Sequence, residues 1–393
     1  MLDTDQSKTD DELDAWLNSI QTEEPPKAKI EEPILKGSMG EVSKTERKEM
    51  NLIKEYVQKI KSSKPLNNFS MLALQGFERG KKEEISEKTQ ELLAFSLLPE
   101  HYQTLSGGFY FRVQNKGFVV NPGHNFLEKL HEKGLDINSI DFVIVSSNQP
   151  ESFSEAKAIY DLNYKCNLQS DTHHIINYYL HQGAYKNLFA MLKPHFKQEK
   201  DTVKCLELYM DSPEAESIQL TDSVILSYFL MGKDRENLGI SFQIKDLNAN
   251  RDFSIAWLWL NHLTSKDIST LSSFDTIVGY LNDACYDEIQ LENIKELLEK
   301  NPQKNTVLLF ADLAKKDEDR RLKTTKKIKD SLSAKSRLSK TVLPLESGLL
   351  MNLQNHTLQC SSCQEFVNAS DVHVAKSKKT FGKLYYLCSE CCL

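Results

Sequence analysis

Apolar positions along this chain fall into two rhythms. Over residues 44–61, Met50, Ile53, Tyr56, Val57 and Ile60 recur at helical spacing, and Pro65 ends the element. From about residue 69 the pattern changes to short apolar runs bounded by Gly, Asn and Pro. Phe69–Leu74 and Phe109–Val113 read as strands. Gly117–Gly123 reads as a buried strand ending in a turn, and Ile140–Ser146 as another. Helices are predicted at Phe126–Lys133, closed by Gly134, and at Phe153–Leu162. Further strands are predicted at Val224–Phe229, Ile240–Ile244, Ser254–Trp259, Thr276–Leu281 and Thr306–Phe310, with helices at Ile289–Glu299 and Arg321–Leu332. Strands alternating with helices imply a layered α/β fold. There is no internal repeat.

Residues 1–43 follow neither rhythm. They are polar and proline-containing, and residues 1–33 hold ten Asp/Glu against three Lys. The rest of the chain is electrically balanced, so the net charge of −7 belongs to this tail. The composition predicts a disordered acidic tail with one short helix over 9–21. There Leu13, Trp16, Leu17 and Ile20 share a face, and Thr9 with Glu12 has capping-box spacing. Such a helix is marginal alone in water. It reads either as a docking peptide for a partner's groove or as a helix lying on its own domain.

At 40% apolar and 27% charged residues over 393 positions, the chain is neither a fibre nor a disulfide scaffold. No apolar run approaches the roughly 20 residues of a membrane span, and no secretory h-region is visible. These features predict a cytoplasmic protein whose eight cysteines are reduced, a setting that favours metal binding over disulfides.

The order Gly107-Gly-Phe-Tyr-Phe, Gly117-Phe-Val-Val-Asn-Pro-Gly-His-Asn-Phe-Leu127, Ile137-Asn-Ser-Ile-Asp-Phe-Val-Ile-Val145 resembles the opening half of a metallo-β-lactamase-fold hydrolase. In that superfamily a "G-hydrophobic-D-x-G" strand leads through a helix to an "ID-hydrophobic" strand, which ends in the metal motif T-H-x-H-x-D-H. Ile175–Leu192, Asn237-Leu-Gly-Ile-Ser-Phe and Ser339–Leu350 resemble later segments, so the likeness covers residues 66–356. It implies a four-layer αββα sandwich, here spanning 44–356.

The chemistry of the family does not carry over. A dinuclear zinc hydrolase holds its ions with histidines and carboxylates. At the motif position this chain has Ser146-Ser147-Asn148-Gln149-Pro150-Glu151-Ser152. The resemblance therefore implies a degenerate metal site at Asn121, Ser147, Gln149, Glu151 and Ser152. The family's further ligands are also missing: Tyr228–Asp234 has no His, Ala256–Trp259 has no Asp, and Asp287 or Glu288 stands at the late His position. His124, His173, His174, His181 and His262 are open to an unrelated site.

The C-terminus carries its own metal signal. Cys360-Ser-Ser-Cys363 and Cys388-Ser-Glu-Cys391 form two C-x2-C knuckles separated by 24 residues. Asp371–Ala375 and Leu384–Leu387 read as strands around a polar turn. This resembles a zinc ribbon over 357–393 with one structural zinc. Cys392 is an alternative to Cys391 as fourth ligand, and His373 a weaker candidate. Basic residues concentrate at Arg320, Arg321, Lys326 and Lys327 and on the ribbon turn at Lys376, Lys378 and Lys379. They read as solvated faces or as a nucleic-acid contact.

Three functions follow as expectations. The first is a non-catalytic scaffold or regulatory subunit that binds a protein partner through the acidic helix or the ribbon. The branch resembled suggests a prokaryotic antiviral-defence setting. The second is a nucleic-acid-binding protein using ribbon and basic helix. The third is a hydrolase with a rebuilt centre, for which Glu151, Asp141, His124 and His262 are the candidates.

Overall fold

The computed structural model describes residues 44–60, 65–74, 76–79, 103–170, 173–188, 203–208, 215–231, 237–246, 251–271, 273–281, 288–312, 321–376 and 383–392. The predicted tail and its helix over 9–21, with Leu13, Trp16, Leu17 and Ile20, lie outside these residues. The chain divides into two units, Met1–Asn51 and Leu52–Leu393. The first helix, α1 (Lys44–Ile60), runs across that boundary. Everything below belongs to the second unit.

Its strands alternate in the period-2 sense, and the alternation sorts side chains into two cores. In β1 (Ser70–Ala73), Met71 and Ala73 face one way and Leu72 the other. In β4 (Phe109–Val113), Phe109, Phe111 and Val113 oppose Tyr110. In β5 (Lys116–Val120), Phe118 and Val120 oppose Val119, and in β6 (Phe142–Val145), Phe142 and Ile144 oppose Val143 and Val145. Both faces are apolar because both are covered, which is why these strands appear in the sequence as continuous apolar runs.

The first set packs onto a second sheet. Phe111 lies against Phe242 and Trp257, Phe109 edges onto Trp257, and Phe69 edges onto Phe253. The second set packs under helices α2 (Phe126–Glu132) and α3 (Ala156–Asn167), through Phe126, Leu130, Ile159 and Tyr160.

The larger sheet has nine strands in the order β18-β17-β16-β1-β4-β5-β6-β7-β8. Here β7 is Ile176–His181, β8 Val203–Leu208, β16 Leu350–Asn352, β17 Thr357–Gln359 and β18 Phe366–Asn368. The other sheet has seven, β15-β14-β13-β12-β11-β10-β9. These are β9 (Glu216–Thr221), β10 (Val224–Met231), β11 (Asn237–Asp246), β12 (Arg251–Trp259), β13 (Thr276–Leu281), β14 (Thr306–Asp312) and β15 (Lys340–Pro344). Each sheet begins as an antiparallel meander and continues with three parallel strands, β6–β8 in one and β13–β15 in the other. Helices α4 (Ser265–Thr270), α5 (Glu288–Glu299), α6 (Arg321–Ser331) and α7 (Ala334–Ser339) lie among the second set of parallel strands. Ile268, Ile294, Leu298 and Ile328 are buried in the same core. Two stacked sheets with helices packed outside make the four-layer αββα sandwich that the resemblance implies.

A pair β2 (Gly76–Arg79) and β3 (Gln103–Ser106) forms a separate small ladder, as does β19 (His373–Lys376) with β20 (Leu384–Leu387). The cysteine-rich segment is not set apart from the sandwich. Its first hairpin, β17–β18, extends the nine-stranded sheet through β16. Among the described residues, no helix is long and apolar enough to cross a membrane.

Candidate metal centre and the crevice at the strand ends

In a layered α/β fold, ligands bind beyond the carboxyl ends of the parallel strands. The segment Ser146–Ser152 leaves β6 at that edge. Asn121 follows β5 and sits in the left-handed region at φ 50°, a conformation that Asn tolerates better than most residues. Its Oδ1 accepts from the Ser146 amide at 2.9 Å, and its Nδ2 donates to Ser146 Oγ at 3.0 Å and to Tyr280 Oη at 3.2 Å. That last bond crosses from one sheet to the other. Tyr280, at the end of β13, stacks on Trp259 with ring centroids 4.5 Å apart and edges onto Phe109. Burial pushes its phenol far above the usual tyrosine range, so it is a neutral hydrogen-bonding group.

The backbone also joins the sheets here. The Leu238 amide donates to the Ser146 carbonyl at 2.8 Å, and Ser147 bridges to Asn237. Ser146 and Ser147 are fully buried, and Ser147 Oγ accepts the Gln149 amide. Ser152 is buried, Gln149 half-buried and Glu151 exposed. The Glu151 carbonyl lies so close to Gly123 that a Cβ there would stand 2.1 Å from it. Asn121, Ser146 and Ser147 thus bond to one another or to backbone. Among the described residues, the buried Asn237 Oδ1 and Trp259 Nε1 have no hydrogen-bond partner, and the rings of Trp259, Tyr280 and Phe109 lie beside them.

Of the other predicted residues, His181 reaches this edge at the carboxyl end of β7, parallel to β6, and Asp141 does not. Asp141 lies at the opposite end of β6, where its carboxylate takes Lys116 Nζ at 2.7 Å and the Gly117 amide at 2.9 Å. His124 and His173 are exposed. His174 Nε2 meets the Ile140 carbonyl at 2.6 Å. His181 is buried at the end of β7, where its Nδ1 accepts the Gly183 amide. The side chain of His262 is outside the described set. Tyr280 and Asn237 were not legible as site residues, because a tyrosine or asparagine at a strand end carries no local signal.

The four predicted zinc ligands do converge. The Sγ atoms of Cys360, Cys363, Cys388 and Cys391 all lie within 4.8 Å of one another. Among the described residues this is the one group of three or more His, Cys, Asp or Glu side chains so placed. Cys360 and Cys363 sit in the β17–β18 turn, whose tight return places Gln364 at φ 66°. Cys388 and Cys391 follow β20. A tetrahedral ion with metal–sulfur bonds of roughly 2.3 Å needs sulfurs roughly 3.8 Å apart. The Cys363–Cys388 separation is 3.8 Å. An all-thiolate donor set of this size fits zinc, and four protein ligands would leave no position for water, the mark of a structural site. Cys392 is exposed and outside the group, as is His373.

The thiols are electrostatically uneven. Burial pushes Cys360 up, but amides of Cys388, Cys363 and Ser362 outweigh it and bring the thiol down to about 6. Despite the Glu365 amide, desolvation and the sulfurs of Cys360, Cys391 and Cys388 push Cys363 up to about 12. One thiolate forms readily in such a cluster, and its charge opposes the next. A divalent cation removes that conflict.

The basic residues need one correction. Arg321 is not a surface contact. It is 3% exposed, its Nη1 donates to the Leu345 carbonyl at 2.6 Å, and its Nη2 pairs with Glu346 at 3.2 Å. A guanidinium in an apolar site must be paired, and here it serves the interior. Lys326, Lys327 and Lys376 are exposed. Arg320, Lys378 and Lys379 lie outside the described residues.

The layers and the cysteine cluster define the class, a four-layer αββα sandwich with an added four-cysteine cluster. Similar solved structures are of the metallo-β-lactamase fold. The metallo-β-lactamase-fold protein YhfI from Bacillus subtilis is 13% identical, matching 72% of this chain and 98% of its own at a TM-score of 0.47. The short form of human tRNase Z is 11% identical over 72% and 99%, at 0.43. The long-form RNase Z from yeast is 9% identical over 65% of this chain and 38% of its own, at 0.44. No family model matches the sequence, and no curated protein does.

Proposed function

We propose that this chain is a non-catalytic member of the metallo-β-lactamase fold that acts as a scaffold or regulatory subunit for a protein partner. In this reading its one metal is a structural zinc on Cys360, Cys363, Cys388 and Cys391. The observation that carries the reading is the fate of the crevice edge. Where the resembled hydrolases place their first histidine, Ser147 is buried and its Oγ accepts the Gln149 amide, and the adjacent Ser146 is buried and bonded to Asn121. A metal-activated water needs ligands that point into an open site, and these two side chains already have protein partners.

The test is metal analysis and turnover on the full-length chain and on Cys388→Ser/Cys391→Ser. About one zinc per chain, lost in the variant, is expected, as a closed four-thiolate site requires. Phosphodiester and ester hydrolysis should stay at background in both. Metal retained by the variant together with turnover would overturn the reading and restore the hydrolase. A partner that copurifies with the full chain is expected to be lost on deleting residues 9–21.

A second reading, nucleic-acid binding, rests on a different observation. Lys323, Lys326 and Lys327 are exposed on α6, while Ile328 and Thr324 turn inward. Affinity falling steeply with salt, and weakened by Lys326→Glu/Lys327→Glu, would favour it.

A further inference from the structure

The four cysteines sit one strand away from a buried ion pair, and the connection is continuous. Ser361, between the first two ligands, donates its amide to the Tyr386 carbonyl at 2.7 Å, and its Oγ accepts the Tyr386 amide at 3.0 Å. The Cys388 amide points at Cys360 Sγ at 3.4 Å. The turn of one knuckle is therefore bonded to β20, which leads into the other.

The opposite face of β20 holds the sandwich. Leu384 and Tyr386 are buried, and the strand alternates buried and half-buried. Tyr386 Oη donates to the Pro344 carbonyl, at the end of β15, at 2.6 Å. The Leu384 amide donates to Glu346 Oε2 at 3.0 Å. That same oxygen takes Arg321 Nη2, and Glu346 Oε1 accepts the Ser347 amide. Arg321 opens helix α6, whose Ile328 and Thr325 are buried behind it.

We infer that metal binding at the cysteines controls helix α6 through this chain: knuckle, β20, Glu346, Arg321. The cysteine pairs come from segments that nothing covalent joins locally, so the ion reinforces the Ser361–Tyr386 bonds in holding one knuckle on the other. With the ion bound, β20 is pinned, and Leu384 and Tyr386 cover Glu346. Without it, β20 loses its outer anchor. Its departure removes the Leu384 donor and opens the Arg321–Glu346 pair to water, where such a pair holds little. Helix α6 then keeps its apolar contacts and the Arg321–Leu345 bond but has its ion pair with Glu346 weakened at its first turn. The basic face carrying Lys323, Lys326 and Lys327 is thereby held or released by metal load, whatever it binds.

The test is amide hydrogen exchange on the full-length chain, with zinc and after chelation, alongside cobalt substitution to report on the thiolates. Cobalt–thiolate absorbance should appear with the wild type. Chelation should speed exchange in 384–387 and also in 321–331, the latter by about tenfold or more, since a hydrogen bond to a charged group is being lost. Glu346→Gln should retain the cobalt signal yet exchange fast in 321–331 with zinc present, and Tyr386→Phe should do so more weakly. No cobalt–thiolate band would remove the metal site itself. A band with chelation-induced exchange confined to 357–392 would leave the site standing and overturn the coupling.

Discussion

Asn121 shows how one side chain holds the crevice edge. It accepts the buried Ser146 amide and donates across the sheets to Tyr280, in a backbone conformation that alanine enters at a cost. Asn121→Ala leaves that amide without its acceptor, and adds left-handed strain. The two together should lower unfolding stability by about 2–4 kcal/mol. Asn121→Gly removes the strain but not the loss, so it should fall about 1 kcal/mol short of the alanine variant. Urea melts of the three proteins measure both. Equal stability of all three would mean that the Asn121 contacts contribute nothing. The sequence exposed only part of this arrangement. The replacement of histidines by Ser147 and Gln149 could be read directly. That Ser146, the residue before them, and Tyr280, more than a hundred positions later, complete the cluster is a consequence of sheet stacking, which leaves no mark on local spacing.

At the level of elements, strands buried on both faces were plain, and Phe109–Val113 and Thr276–Leu281 coincide with the apolar runs that predicted them. The edge elements were not. β16, β17 and β18 have three residues each, too few to display a period. The predicted ribbon over 357–393 therefore joins the main sheet through its first hairpin. β15 hides a different feature, because its first residue, Lys340, is 6% exposed. Its Nζ bonds to the Asn301 carbonyl at 2.7 Å and Thr306 Oγ1 at 3.1 Å. Burial, helped by the nearby Lys304 and opposed by Asp275, brings the amine down to about 8. In the unfolded chain a lysine titrates near 10.4. Between those values the unfolded state holds more protons than the folded one, so stability from this group rises with pH across that window. The penalty is complete below pH 8. Lys340→Met has no such titration, so denaturant melts from pH 7 to 10 should show the wild type gaining on the variant as pH rises. A constant difference across that range would mean the amine is not desolvated in the folded protein.

For the whole molecule, the decisive matter is where the metal's binding energy goes. In small zinc peptides it amounts to ~10–16 kcal/mol near neutral pH, as much as the ~5–15 kcal/mol that holds an entire domain together. A self-contained ribbon would keep that energy to itself and would melt apart from its neighbour. In this chain the segments that carry the cysteines are built into the sandwich. Leu358, Ala369 and Tyr386 belong to the same apolar core as Phe242, Trp257 and Phe310. The β17–β18 hairpin continues the nine-stranded sheet, and Tyr386 reaches the Pro344 carbonyl. Loss of the metal should therefore lower the stability of the whole sandwich as well as loosen β20. In a urea titration of the cobalt-loaded chain, thiolate absorbance and the emission of the buried Trp257 and Trp259 should change along one curve. Chelation should shift that midpoint downward for both signals together. Acid should act in the same direction, since protons compete with the ion for four thiolates. Two separated transitions, with the cobalt signal lost first and the tryptophan signal unmoved, would make the cysteine hairpin an appendage. The energetic unity of site and sandwich would then fail.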